Sequence, residues 1–301
     1  MGSTRSSTLA VLGLTLTLAP GAALAGGDGL WPNLEEHWFD RLPIEVQHPP
    51  RRPDGFLGSW WVTGALAATW AGLEFGADPP TNPRWSSQIL FDEDARDGLR
   101  AGTSSGRDDA GLASDALLIG LVSWIFLVDT ALVRDWEVQR ELWKVNLDAL
   151  FANLAATRLL KVTVGRKRPF VADCALDPGS NEDCDDSDTF NAAFYSGHAS
   201  TAGTMAGLAC AHHIHGDIFG GWKDAAVCGG AAGAALATGM LRVVADDHHM
   251  TDVIVGWASG LAFGYVLPRW LYYDNRGRAR STLIVPTASR GGAGLLLVKR
   301  F

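Results

Sequence analysis

The stretch that decides the fold is residues 224–252, DAAVCGGAAGAALATGMLRVVADDHHMTD. Its first two-thirds is apolar, with Gly229-Gly230-Ala231-Ala232-Gly233-Ala234-Ala235 near the middle. Polar and apolar residues do not alternate as in a strand, and the length suits a helix. Side chains this small let neighbouring helices approach closely, so this segment is expected at the centre of a bundle, in water or in lipid. Working outward, five more apolar segments of helical length run roughly over 57–75, 111–133, 142–163, 199–213 and 251–271. The prediction is an all-α bundle of about six core helices. At the end of the chain, apolar runs at Thr282–Ala288 and Gly294–Phe301 flank Ser289-Arg290-Gly291-Gly292 and read as a small β-hairpin.

Composition narrows the partners. Of 301 residues, 47% are hydrophobic and 19% charged, an ordinary globular balance. A net charge of −8 argues against nucleic acid, whose phosphates select basic surfaces. The mean hydropathy of +0.07 lies between soluble and polytopic membrane proteins. Asp115 and Asp129 interrupt the second segment and are costly in hydrocarbon, and the fourth is short for a span. These points favour a globular, membrane-associated bundle over an integral one. Trp60, Trp61, Trp270, Tyr272 and Tyr273 lie at segment ends and suit either an interfacial belt or a core.

The first residues suggest export. Arg5 precedes an apolar run from Leu9 to Leu18, Pro20 breaks it, and Ala23-Leu24-Ala25 follows as a small-x-small cleavage site. The alternative is an uncleaved anchor. The division expected is 1–25 signal peptide, 26–56 N-terminal extension with a short helix around 33–40, 57–273 helical domain, and 274–301 tail. Export to a periplasmic or cell-envelope space permits disulfides, and the local pairings Cys174–Cys184 and Cys210–Cys228 are preferred among the three available. No cysteine has zinc-ligand spacing to a histidine, so no metal is expected.

Three clusters carry chemistry. Lys161 and Arg168 are seven residues apart, nearly two helical turns, and Pro169 bends the chain after them. Alone they would read as a basic helix end beside Arg158, Arg166 and Lys167. Ser196-Gly197-His198 opens the fourth segment as a helix cap, where free amides favour an anion. Arg242, His248 and Asp252 form the third: an i, i+4 His–Asp pair, with Asp246-Asp247 as a break that brings Arg242 round. Each set sits at the rim of an apolar helix. Three cations for an oxyanion, a carboxylate-steered imidazole for attack and a second imidazole for the leaving group make a phosphoryl-transfer set without a metal.

These clusters resemble the signature of the type-2 phosphatidic acid phosphatase superfamily, which also holds bacterial acid phosphatases and vanadium haloperoxidases. Its pattern is Lys-x6-Arg-Pro, Pro-Ser-Gly-His and Ser-Arg-x5-His-x3-Asp, and the resemblance covers roughly residues 140–272. Tyr195 and Leu241 depart from it and replace no ionisable group. The resemblance implies that His248 attacks phosphorus, Asp252 orients it, and Lys161, Arg168, Arg242, Ser196 and Gly197 hold the phosphoryl oxygens. His198 would protonate the leaving group. The substrate would be a phosphorylated small molecule or lipid, with vanadate as inhibitor. The alternatives are a vanadate-dependent haloperoxidase and a non-catalytic helical binding relative. His212, His213, His215 and His249 are expected to be structural. The acids between Asp173 and Asp188 read as a solvated loop, or as a lid over the site.

Overall fold

The computed structural model describes residues 43–273 apart from 175, 178–181 and 186, together with 282–289 and 292–299. The signal peptide and the helix expected around 33–40 lie outside the described residues. Among the described residues eight α-helices follow one another: α1 Trp60–Gly76, α2 Asp92–Leu99, α3 Ser104–Ser123, α4 Trp136–Val164, α5 Val171–Cys174, α6 Gly197–Gly216, α7 Trp222–Val244 and α8 Met250–Leu261. The helical domain is all-α, as predicted. Helical structure continues beyond α3 to Val128 and beyond α8 to Tyr273.

The small-residue segment is not the centre. Fourteen of the twenty residues of α6 are buried, against seven of twenty-three in α7. A methyl group added at Gly229, Gly230 or Gly233 would meet open space. The glycines where backbone meets backbone are in α6, in α8 and just beyond α8 instead. A Cβ at Gly260 would overlap the Ser200 carbonyl, one at Gly264 the Thr204 carbonyl, and one at Gly256 would lie 2.8 Å from the Ser196 oxygen. Backbone therefore meets backbone along one face, repeating every four residues, as in close-packed small-xxx-small crossings. The α6–α8 crossing sets the depth of the site, because Ser196 caps α6 through Ala199 N at 3.3 Å and its own amide donates to the Asp252 carbonyl at 3.2 Å.

Both disulfides, Cys174–Cys184 and Cys210–Cys228, are formed. The first staples the acidic loop, and the second links α6 to α7. Among the described residues three helical stretches are long and apolar enough to cross a membrane: Ser104–Val128, Trp222–Val244 and Met250–Tyr273. At most a third of each apolar window is buried. Asp115 and Asp129, which counted against a span, are each paired, with Arg242 and with His213. The aromatics divide: Trp61 and Trp270 are exposed, whereas Tyr272 and Tyr273 are buried and hydrogen-bonded to Asp148 and His212.

Candidate active site

The basic stretch at the end of α4 sorts itself by partner. Arg158 donates to the carbonyls of Leu73, Glu74 and Ala77 and closes the end of α1. Gly165, with φ +59°, ends α4 in the left-handed conformation that suits glycine. The reversal sends the Arg166 side chain inward, where it is fully buried between Asp92 and Asp252 at 2.6 and 2.5 Å and stacks on Trp85. Lys161 and Arg168 are the two that face the site. Thus two of the four cations near Lys161 are structural, a division that spacing alone does not reveal.

On the opposite wall, α7 ends at Val244 and Asp246 adopts φ +68°. The amides of Asp247 and His248 both donate to the Arg242 carbonyl, at 3.0 and 3.3 Å. This tight turn brings Arg242 and His248 to the same side, although a continuous helix would separate them. Asp247 accepts from Arg242 at 2.8 Å and lies 4.0 Å from Arg168, so it bridges the two cations.

His248 is almost fully buried, and its Nδ1 lies 2.8 Å from the Ala193 carbonyl. A carbonyl only accepts, so Nδ1 carries the proton and Nε2 keeps its lone pair. Burial, then the charges of Arg168, Lys161 and Arg242, push its pKa well below the ordinary histidine value. The ring is therefore neutral, as a nucleophile requires.

Asp252 departs from expectation. Its Oδ2 is 3.9 Å from His248 Nδ1, beyond hydrogen-bonding reach. His248 precedes α8 rather than lying on it, so i, i+4 spacing does not place the pair on one helical face. Asp252 instead accepts from the His249 amide at 3.0 Å, closing a capping box, and from Arg166. Its influence on His248 runs through the backbone of that first turn.

His198 stands at the first turn of α6. Arg242 and Asp115 converge on its Nε2, Asp115 at 2.8 Å, and Arg242 also donates to Asp115. Burial and the charges of Arg242 and Lys161 lower its pKa to about 3. With Arg242 donating, the ring is neutral and Nε2 accepts; with a proton on Nε2 it donates to Asp115. Gly197 keeps the approach open, since a Cβ there would lie 3.5 Å from Lys161 Nζ. Burial and then the charge of Arg168 lower the Lys161 pKa to about 7.

Of the residues expected in the site, Lys161, Arg168, Ser196, Gly197, His198, Arg242 and His248 gather at the adjoining ends of α4, α6, α7 and α8. Sequence reasoning missed Asp115, Asp247 and the Ala193 carbonyl. The Asp247 signal was its place between two site residues; Asp115, 127 residues from Arg242, had none. The four histidines expected to be structural, His212, His213, His215 and His249, each have a partner of their own. His212 bridges Tyr273 and Asn146, His213 lies between Asp129 and Asp224, and His249 donates to the Lys167 carbonyl. His215 contacts Tyr265. Among the described residues no group of His, Cys, Asp or Glu could hold a metal ion.

The arrangement defines a class: a helical oxyanion site with three cations around a neutral, tautomer-fixed imidazole. The model of the PAP2 superfamily matches residues 143–276, the stretch that holds all three motif clusters, and supports placing that stretch in the superfamily. Its members are phosphoric ester hydrolases acting on phosphorylated small molecules or lipids, and phosphatase-type activity follows for this chain at that level. Comparisons with curated proteins and with solved structures gave no match.

Proposed function

We propose that this protein is a metal-independent phosphatase that hydrolyses phosphomonoesters or pyrophosphates, with lipid or isoprenoid phosphates as its substrates, through a phosphohistidine on His248. The carrying observation is that Lys161, Arg168, Arg242 and His198 all bear electrostatically on one buried imidazole. Three side-chain cations supply the charge that a metal would otherwise bring to the transition state.

Nε2 of His248 attacks phosphorus while the bond to the leaving oxygen breaks. The proton stays on Nδ1, which donates it to the Ala193 carbonyl. Substrate charge neutralises the cations that depress His198, so His198 takes up a proton and gives it to the departing alkoxide. Arg242 turns from Asp115 to the phosphoryl oxygens, leaving Asp115 to hold the His198 imidazolium. In the second half, His198 accepts a proton from water, the water oxygen attacks phosphorus, and the P–N pair returns to Nε2. Vanadate, which mimics five-coordinate phosphorus, would occupy the same cradle and inhibit.

The apolar faces support lipid substrates. Ile119, Leu127, Val266 and Trp270 are all 60% exposed or more, on the helical stretches that also carry Asp115 and Asp252. Two disulfides fit an exported protein. The C-terminal hairpin remains part of the proposal as a local appendage. The test is His248→Ala, assayed on an aryl phosphate and on a lipid phosphate, with acid quench to trap labelled phosphoenzyme. Turnover and trapped label should both vanish. Wild-type rates in that variant would sink the mechanism.

A further inference from the structure

Asp246 has an unusual role. It is a non-glycine residue at φ +68°, in the left-handed region, and its carboxylate is fully buried. Arg96 grips it with a two-pronged fork, Nε to Oδ1 and a terminal nitrogen to Oδ2, each at 2.7 Å. Arg100 Nε lies 2.9 Å from Oδ2. Both arginines also reach Asp173 Oδ2, at 2.8 and 2.5 Å, and Asp173 adjoins Cys174 of the loop disulfide. Their helix, α2, is tied to the start of α8, where Asp92 accepts from the Thr251 amide and hydroxyl at 2.9 Å each. Just past α2, the Ala101 amide donates to the Val244 carbonyl at 3.0 Å.

We infer that Arg96 and Arg100 are positioning residues for His248, forming a clamp between the turn that carries the nucleophile and the disulfide-bonded loop. The inference rests on the reading of His248 as nucleophile. Neither arginine touches the reacting atoms. They act on Asp246, two residues before His248 and one before Asp247, the acid that bridges Arg242 and Arg168. A left-handed residue is held there only because its surroundings over-determine it. A planar fork specifies the orientation of a carboxylate as well as neutralising it. Releasing Asp246 would let Asp247 and His248 rotate together, away from the Ala193 carbonyl and out of line with the phosphoryl group.

The test uses the full chain with p-nitrophenyl phosphate and rapid acid quench. Arg96→Gln should lower kcat and the rate of phosphoenzyme formation by the same factor, about 100-fold, with KM little changed, since misplacement of the nucleophile by ~1 Å costs about that much. Arg96→Lys keeps the charge but loses the fork, and should stay closer to Arg96→Gln than to wild type. Asp173→Asn, which leaves Asp246 gripped but frees the outer anchor, should lose about 10-fold by a smaller shift of the same kind. This milder variant decides the matter should Arg96→Gln not fold. Wild-type kcat in Asp173→Asn, a raised KM with kcat unchanged, or full rescue by Arg96→Lys would overturn the clamp. Those results would leave the chemistry at His248 standing. Turnover by His248→Ala would instead remove the nucleophile assignment itself.

Discussion

At the scale of single residues, burial lowers the Lys161 pKa to about 7. Lys161 therefore loses its charge as pH rises through about 7, and the free enzyme then holds a phosphoryl group less well. The expected result is a kcat/KM that falls above about pH 7, with the limb moved upward in Lys161→Arg, checked by pH-rate profiles of both. His198 is separable by leaving group. His198→Asn should cost roughly 100-fold or more on alkyl phosphates, whose alkoxide needs a proton, and much less on p-nitrophenyl phosphate. Equal losses on both would remove His198 as the acid. The ionisable residues Lys161, Arg168, His198, Arg242 and His248 were legible from spacing because each lies in a short local motif. Asp115 was not: it meets His198 and Arg242 from a helix more than 80 residues away.

At the scale of elements, the central place expected of α7 was misjudged for a definite reason. Alanine and glycine content says that a helix can be approached closely, not which neighbour approaches it. In α7, Gly229, Gly230 and Gly233 face open space, whereas Gly256 and Gly260 of α8, and Gly264 just beyond it, lie against the carbonyls of Ser196, Ser200 and Thr204. Gly260→Ala forces overlap with the Ser200 carbonyl, and overpacking of this kind typically costs ~1–3 kcal/mol. Its melting temperature should fall by several degrees, whereas Gly230→Ala, which meets nothing, should leave Tm unchanged or raised. Thermal unfolding of the two variants side by side checks this. The helix α2 was hidden inside a polar, Pro-containing connection. Its eight residues carry five charges and no apolar period, so only its partners Asp246, Asp173 and Thr251 reveal its use.

At the scale of the whole molecule, polar networks close both ends of α6. The site lies at its first turn. Near its last turn His213 sits between Asp129 and Asp224, and its hydrogen bonds to these acids outweigh the cost of burial, raising its pKa to about 9. A histidine raised on folding stabilises fully below its unfolded value near 6.5, and that stability is lost as pH rises through about 9. The Tm gap between wild type and His213→Gln should therefore be widest near pH 6 and narrow toward pH 9. The exposed apolar faces of the three long helices predict that the protein stays with membranes through a carbonate wash. Recovery in the soluble fraction would remove the proposed lipid contact.

Local order carries the motifs, the helical class and the disulfide pairings, because each depends on residues close in the chain. Two things come only from packing. One is the choice among chemically equal groups: Arg166 and Arg168 are two positions apart, yet one is buried between two carboxylates and the other faces the site. The other is the partner of His248, a backbone carbonyl 55 residues away in place of the carboxylate four positions on. Both depend on directions set by a left-handed glycine and a left-handed aspartate, and the direction a chain takes after a turn is settled by what it packs against.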